Sequence, residues 1–214
     1  MYQPPHFRET RRDVLHGLIR AHPLGLLVSN GPDGPVANPI PFLLDADRGA
    51  FGTLRLHMAR ANGQWRALAE DPDTPVLAVF RGSDAYVSPS WYASKAEHGK
   101  VVPTWNYAVV EARGRARVMD DPDWIARQIA DLTRSHERAR AEPWQVGDAP
   151  ERFIEAQIRG IVGVEIEIAA LDGKWKVSQN RPVADRVGVA SGLEAEHGDA
   201  AMAGLVRDYG GITG

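Results

Sequence analysis

The stretch Val110 to Val118 constrains the fold more than any other. Val110, Ala112, Gly114, Ala116 and Val118 fall on one face, and Glu111, Arg113, Arg115 and Arg117 on the other. A period of two is the signature of a β-strand with one buried face and one wet face. The small residues of the inner face suit a tightly curved barrel wall. Ile161 to Ile168 repeats the pattern, with Val162, Val164, Ile166 and Ile168 opposite Glu165 and Glu167. Trp175 to Val177 is expected to pair with it after a turn at Asp172-Gly173.

The first half of the chain is a series of short apolar runs. Thr10 and Asp13 resemble a helix N-cap pair ahead of Val14, Leu15, Leu18 and Ile19, and His22-Pro23 ends that helix. Leu24 to Ser29 reads as a strand, and Asn30-Gly31 with Asp33-Gly34 marks a hairpin turn. Val36 to Leu44 is the next strand. Pro39 and Pro41 interrupt it, so it is bulged or lies on an edge. Ala50 to Leu56 is a third strand. Val76 to Phe80 reads as a strand buried on both faces, with Ala85 to Val87 as its hairpin partner across Gly82.

Two helices are expected between about 121 and 159. Asp121 caps the first, with Pro122 at its first position and Ile125, Ile129 and Leu132 as its buried stripe. Asp148 caps the second, which carries Phe153, Ile154, Gln157 and Ile158 on one side and stops at Gly160. Strands and long helices do not alternate, so a parallel α/β fold is excluded. The reading is a mainly β fold with peripheral helices, an antiparallel barrel of about six or seven strands. Residues 1–182 form the domain, and 183–214 read as its loosely packed C-terminal tail with a short helix over Ala200 to Tyr209.

Composition excludes several chemistries. The chain of 214 residues has no cysteine, which removes disulfides, thiolate metal sites and thiol nucleophiles. Its 25 basic and 28 acidic residues are well mixed, so charge gives no case for nucleic acid or an anionic membrane. No run approaches a membrane helix and the start has no signal-peptide core, so a cytoplasmic protein is the expectation. Phosphate-loop, dinucleotide and nucleophile-elbow motifs are missing. The seven histidines lack metal-ligand spacing, so no metal site is expected.

Three clusters carry polar chemistry. Leu56-His57-Met58-Ala59-Arg60-Ala61-Asn62 follows a strand and opens a helix, where free N–H groups and an arginine offer a phosphate a seat. An ordinary strand-to-helix turn reads the same way. Tyr86, Trp91 and Tyr92 lie close in sequence to Trp105 and Tyr107, suiting a stacking pocket, a subunit interface or simple packing. Gly173 to Arg181 is dense in donors and suits an anion, a carbonyl-rich ring or a solvated loop.

Taken together, MYQPPHF at the start, ANPIPF at 37–42, LHMARAN at 56–62, YVSPSWY at 86–92, VPTWNY at 102–107, IVGVEIEI at 161–168 and GKWKVSQNR at 173–181 resemble the PaiB-type family of FMN-binding negative transcriptional regulators. That family is similar to the FMN-binding split β-barrel proteins, such as pyridoxamine phosphate oxidases and flavin reductases. The resemblance implies a homodimer with FMN at the subunit interface. It implies that Asn38, Pro39, Ile40 and Pro41 run along the flavin ring, with backbone amides bonding it. It places His57, Ala59, Arg60 and Asn62 around the phosphate and ribityl chain, and adds Trp105, Lys176 and Gln179 from the same or the opposite subunit. Arg60 is the foremost phosphate ligand, because a guanidinium fork matches phosphate geometry. Gly63 stands where family members are expected to carry proline, which keeps the turn and loosens the helix start.

Three functions follow. The first is an FMN-binding flavoprotein, with a flavin-dependent oxidoreductase as the enzymatic version; no catalytic residue is assigned. The second is a transcriptional regulator, with Arg113, Arg115 and Arg117 or Arg8, Arg11 and Arg12 as DNA contacts despite the acidic net charge. The third is a barrel holding haem, with His57 or His98 as ligand, or another molecule such as a pyridoxal species.

Overall fold

The computed structural model describes residues 1–212. Within them the strands are β1 (Arg8–Glu9), β2 (Leu24–Gly31), β3 (Gly34–Pro41), β4 (Leu43–Asp45), β5 (Thr53–Ala59), β6 (Pro75–Val87), β7 (Thr104–Met119) and β8 (Ile161–Lys176). The helices are α1 (Arg12–Ala21), α2 (Gln64–Glu70), α3 (Ser94–His98), α4 (Pro122–Glu137), α5 (Glu151–Arg159), α6 (Val183–His197) and α7 (Ala200–Gly210). The sheet runs β3-β2-β6-β7-β8-β5-β4, with β1 paired to β8, and the pairs whose register is resolved are antiparallel. Among the described residues no helix is long and apolar enough to cross a membrane.

The chain divides into two compact units. One comprises residues 19–80 and 111–171. Its core joins Leu27, Phe42, Leu54, Leu56, Phe80, Val164 and Ile166, all at most 1% exposed. Phe42 and Phe80 meet edge to face at 5.1 Å. The small inner face of β7 has a direct cause here: a Cβ on Gly114 would stand 2.0 Å from the Glu167 carbonyl oxygen of β8. Only glycine admits that approach.

One carboxylate organises this unit. Glu165 on β8 is 5% exposed. It accepts two bonds from Arg48 (2.8 and 3.2 Å), one from Arg117 of β7 (2.8 Å) and one from the Trp124 indole of α4 (3.1 Å). Trp124 also covers Gly163, where a Cβ would stand 2.1 Å from its ring. The Arg48 bonds, reinforced by Arg117 and Trp124 and opposed by burial, hold the Glu165 carboxyl at about 2.

The second unit comprises residues 1–18, 81–110 and 172–214. Val189, Leu193, Met202, Ala203 and Val206 of α6 and α7 are all fully buried in it. Residues 183–210 are therefore a packed helical pair and not the loose tail expected from their glycine, alanine and charge. Glycines of α6 make room for Trp91: a Cβ on Gly192 would stand 2.4 Å from its ring. Glu9 is the buried carboxylate here, taking Arg11 (2.6 Å) and the Tyr209 hydroxyl (2.5 Å).

Other expectations shift for local reasons. Ala85 to Val87 continues β6 and is not a hairpin partner, and the strand runs unbroken past Gly82. Trp175 likewise continues β8. Gly173 does not turn the chain: it pairs with Glu9, and a Cβ there would meet the Leu15 side chain at 2.1 Å. The third strand begins at Thr53, after a loop, and not at Ala50. The buried stripe of α4 is Trp124, Ile125 and Gln128, while Ile129 and Leu132 are half-buried. Asp148 accepts from the Gln145 amide and does not cap α5. Phe153 of α5 is 55% exposed.

Glu165→Gln keeps the shape of the node and removes its charge. It should lower stability by about 2–3 kcal/mol at neutral pH, the scale of hydrogen bonds to a charged group. The folded-state pKa of Glu165 lies below its ordinary 4.5, so its contribution is present above 4.5 and lost as pH falls toward 2. Denaturant unfolding between pH 7 and 3 should show the gap between the two proteins closing on acidification. A constant gap would mean that the charge is not the stabilising element.

Candidate functional site

The edge strand β3 is built around its prolines. A two-residue turn makes Gly31 and Gly34 a hydrogen-bonded pair, so Val36, Asn38 and Ile40 turn their N–H groups toward β2. Pro35, Pro39 and Pro41 occupy the alternate positions, whose N–H groups would face outward. The free edge therefore offers carbonyl oxygens, and Ala37 contributes its only outward N–H between Pro35 and Pro41. Asn38 and Ile40 do not present amides to a ligand as the resemblance implies, and Pro39 and Pro41 have none to present. This edge accepts from a ring N–H more readily than it donates.

The Asn38 side chain points into a polar network instead. Its amide donates to Gln64 Oε1 at 2.9 Å. Gln64, 5% exposed, donates from Nε2 to the Leu27 carbonyl (3.2 Å) and to Ser29 Oγ (3.0 Å). Asn62 Oδ1 in turn accepts from the Gln64 backbone N–H at 3.0 Å. Gln64 thus fastens the 59–63 loop to β2 and β3. The sequence reading stopped at Asn62 and missed it; the signal was a glutamine two residues beyond the loop asparagine. Gln64→Leu should cost about 2–3 kcal/mol, because it leaves buried Ser29 and the Leu27 carbonyl unpaired. Amide exchange should accelerate selectively across β2 and β3, and unchanged protection there would remove Gln64 as the fastening.

Arg60 closes the same loop on its other side. Its guanidinium grips both oxygens of Asp120 (3.0 and 2.5 Å) and donates to the carbonyls of Arg159 (3.2 Å) and Ile161 (3.1 Å). Hydrogen bonding to Asp120 raises its pKa, and the same bond holds the Asp120 carboxyl below the ordinary range. Both side chains reach solvent, at 36% and 56% exposure. Ala59 pairs with Ile161, which sets the loop at the start of β8.

His57 departs from the expected arrangement. It lies opposite Gly163 on the face shared with Arg55 and Glu165, and this face is covered by Trp124 and Asp131 of α4. Its Nδ1 is buried without a partner, and burial pushes its pKa down. A neutral histidine under a helix brings no positive charge to a phosphate.

Trp105, Lys176 and Gln179 belong to the other unit. Lys176 Nζ donates to Thr104 Oγ1 (2.7 Å) and to the Trp105 carbonyl (2.5 Å), so those two residues are brought together. The Trp105 ring is 55% exposed and meets Tyr86 edge to face at 6.0 Å. Gln179 is committed to its own turn: Oε1 accepts from Val177 N–H (2.8 Å) and Nε2 donates to the Trp175 carbonyl (2.5 Å).

The fold resembles that of solved structures. An FAD and heme binding protein from Mycobacterium smegmatis superposes with a TM-score of 0.58 at 18% identity, over 79% of this chain and 73% of that one. The flavocytochrome Anf3 from Azotobacter vinelandii gives 0.58 at 16% identity, over 79% and 69%. Likeness at these identities defines the fold: an antiparallel, mainly β split barrel with peripheral helices. The sequence family described as "Putative FMN-binding domain" matches residues 1–170. An uncharacterized protein of Emericella nidulans is 36% identical, with 98% of each chain covered. The "Protease synthase and sporulation protein PAI 2" of Bacillus subtilis is 29% identical, with 97% of each covered. The chain belongs to this FMN-binding domain family and is of the PaiB type.

Proposed function

We propose that this protein is a homodimeric FMN-binding flavoprotein that seats the flavin phosphate on the Arg60–Asn62 loop and lays the ring along the free edge of β3. The observation that carries the reading is the grip of Arg60 on Asp120. A bidentate carboxylate occupies the geometry a phosphate takes on the same fork. The pair is exposed, so its own stabilisation is small and exchange for a dianion is open. When bound, FMN supplies the redox chemistry, and the residues of this chain bind and orient it. Asn62 and Gln64 hold the loop in place, and the outward carbonyls of Pro39 and Pro41 accept from the ring.

Two substitutions act in opposite directions on this site. Arg60→Ala should weaken FMN binding by about tenfold or more, the scale of one charge-assisted bidentate contact. Asp120→Asn removes the resident competitor and should tighten binding. Titration of FMN fluorescence quenching reads both. Unchanged affinity in Arg60→Ala removes the loop from the phosphate site.

The homodimer is supported by an exposed apolar stripe on the same unit. Leu24 and Leu26 of β2 are 67% and 38% exposed, and they lie directly opposite Pro41 and Pro39. These are non-hydrogen-bonded pairs, whose side chains lie closest. Light scattering should give a dimer for the native chain and a monomer for Leu24→Glu/Leu26→Glu; an unchanged dimer would place the interface elsewhere.

In the role of a negative regulator, the protein acts through its flavin state or a bound metabolite. Direct DNA contact through β7 is disfavoured because Arg113, Arg115 and Arg117 each face a carboxylate: Glu111, Asp73 and Glu165.

A further inference from the structure

A cavity of about 150 Å³ lies wholly within the unit of residues 1–18, 81–110 and 172–214. Tyr92, Thr104, Asn106, Lys176, Ser178 and Arg181 form most of its wall. Of this lining only Lys176 is among the residues that the family resemblance assigns to FMN, and the Arg60 loop and β3 edge lie in the other unit. We propose that this cavity is a binding site for a compact oxyanion, a carboxylate or phosphate group, held by Arg181, Lys176 and the Tyr92 hydroxyl.

Tyr92 carries the argument. It is only 3% exposed, and its hydroxyl is buried with no hydrogen-bond partner. A donor left unmatched in this way costs about 1–3 kcal/mol, and a ligand that accepts from it would recover that cost. Burial raises the Tyr92 pKa and outweighs the opposing pull of the adjacent Arg181 guanidinium, so the group remains an O–H donor across the physiological range. The one nearby acid is already engaged: Asp185, 1% exposed, accepts from the Ser94 N–H (2.9 Å) and hydroxyl (2.8 Å).

The cations beside Tyr92 have no acidic counterpart. The Arg181 guanidinium lies over the Tyr92 ring, 4.7 Å from its centroid. Lys176 takes only neutral oxygens, from Thr104 and Trp105. Buried Lys174 likewise donates to the Tyr2 carbonyl at 3.1 Å. Among the described residues no carboxylate pairs with Lys174, Lys176 or Arg181. Burial lowers the Lys176 pKa, and repulsion from Lys174 and Arg181 lowers it further. An entering oxyanion would relieve that repulsion and match the orphaned hydroxyl in one step.

The backbone is shaped to this end. Ser178 has φ of 67°, the sole non-glycine residue in the left-handed region among those described. Its hydroxyl is locked to the amide of fully buried Asn106 (3.0 and 3.1 Å). The turn closes with Arg181 N–H donating to the Ser178 carbonyl at 2.9 Å, and it carries Arg181 back over Tyr92. Strain fixed by a buried hydrogen bond belongs with functional positions. The volume suits a phosphate or a short carboxylate and is too small for a three-ring cofactor.

The test is calorimetric titration of the full flavin-free chain with inorganic phosphate and with acetate, at fixed ionic strength. Saturable binding of at least one is expected. Arg181→Gln should weaken it by about tenfold or more, and Tyr92→Phe by about fivefold, the scale of one charged and one neutral donor. Tyr92→Phe fills the same space without the orphaned hydroxyl, so it should unfold no earlier than the native chain and serves as the folded control. Absence of saturable binding by both anions, or equal affinity in both variants, overturns the site. Comparing FMN with riboflavin on Arg181→Gln assigns the source. Loss confined to FMN makes the oxyanion the flavin's own phosphate, whereas unchanged FMN affinity makes it a group of a second ligand. The anion result does not depend on whether flavin binds through Arg60.

Discussion

A buried carboxylate is costly unless hydrogen bonds surround it, and Glu165 turns that constraint into architecture. Its two oxygens gather the guanidinium of the β4–β5 loop, an arginine from β7 and the indole of α4. Loss of any of these partners removes part of the compensation for the buried charge. The position of α4 over β5 and β8 follows from that rule, as does the close approach of Trp124 to Gly163. The face beneath α4 is consequently sealed, and it takes His57 with it. A histidine that looks like a ligand in sequence becomes a half-buried ring with its pKa pushed down, because a glutamate two pairings along the same sheet face is bonded to an indole of α4.

Glu9 repeats the device in the other unit. Burial pushes its carboxyl up, but hydrogen bonds from Arg11 and Tyr209 outweigh it and hold it at about 2. Its partner Tyr209 sits on α7, near the far end of the chain, and stacks on Trp175 of β8 at 6.2 Å. One carboxylate thereby ties β1 to the last helix. This explains why residues beyond 183 pack tightly although their composition reads as loose. Gly188 and Gly192 serve there to seat Trp91, and the tie to α7 is made by Glu9, 200 positions before Tyr209.

The period-two strands were legible because alternation is a local property. β7 and β8 carry it plainly, and the prolines of β3 announced an edge. The joins were not legible. Gly82 and Gly173 look like turn residues, yet each lies within a continuous strand; at Gly173 the lost side chain makes room for Leu15. A glycine required by a long-range neighbour has the same local signature as one required by a turn. The site shows the same division. Arg60 and Asn62 stand in a recognisable run, but the partners that define their roles, Asp120 and Gln64, are set by folding. The donors around Tyr92 were visible as separate patches; only the left-handed turn at Ser178 brings them to one wall.

Two cationic sites result, and they differ in the ion that balances them. Arg60 carries its own carboxylate, so an anionic ligand must displace Asp120 before it gains the full fork, and its apparent affinity is reduced by that competition. Lys176 and Arg181 have no such substitute. Their cavity keeps mutual repulsion, a left-handed serine and an unmatched hydroxyl in the folded state, which are together unfavourable until an oxyanion arrives. A site of the first kind favours loose, exchangeable occupancy. A site of the second kind stabilises the chain when filled, and it selects for small anions by its volume. The physical difference lies in one bond: Asp120 is paired with the first arginine, whereas Asp185 near the second is held by Ser94.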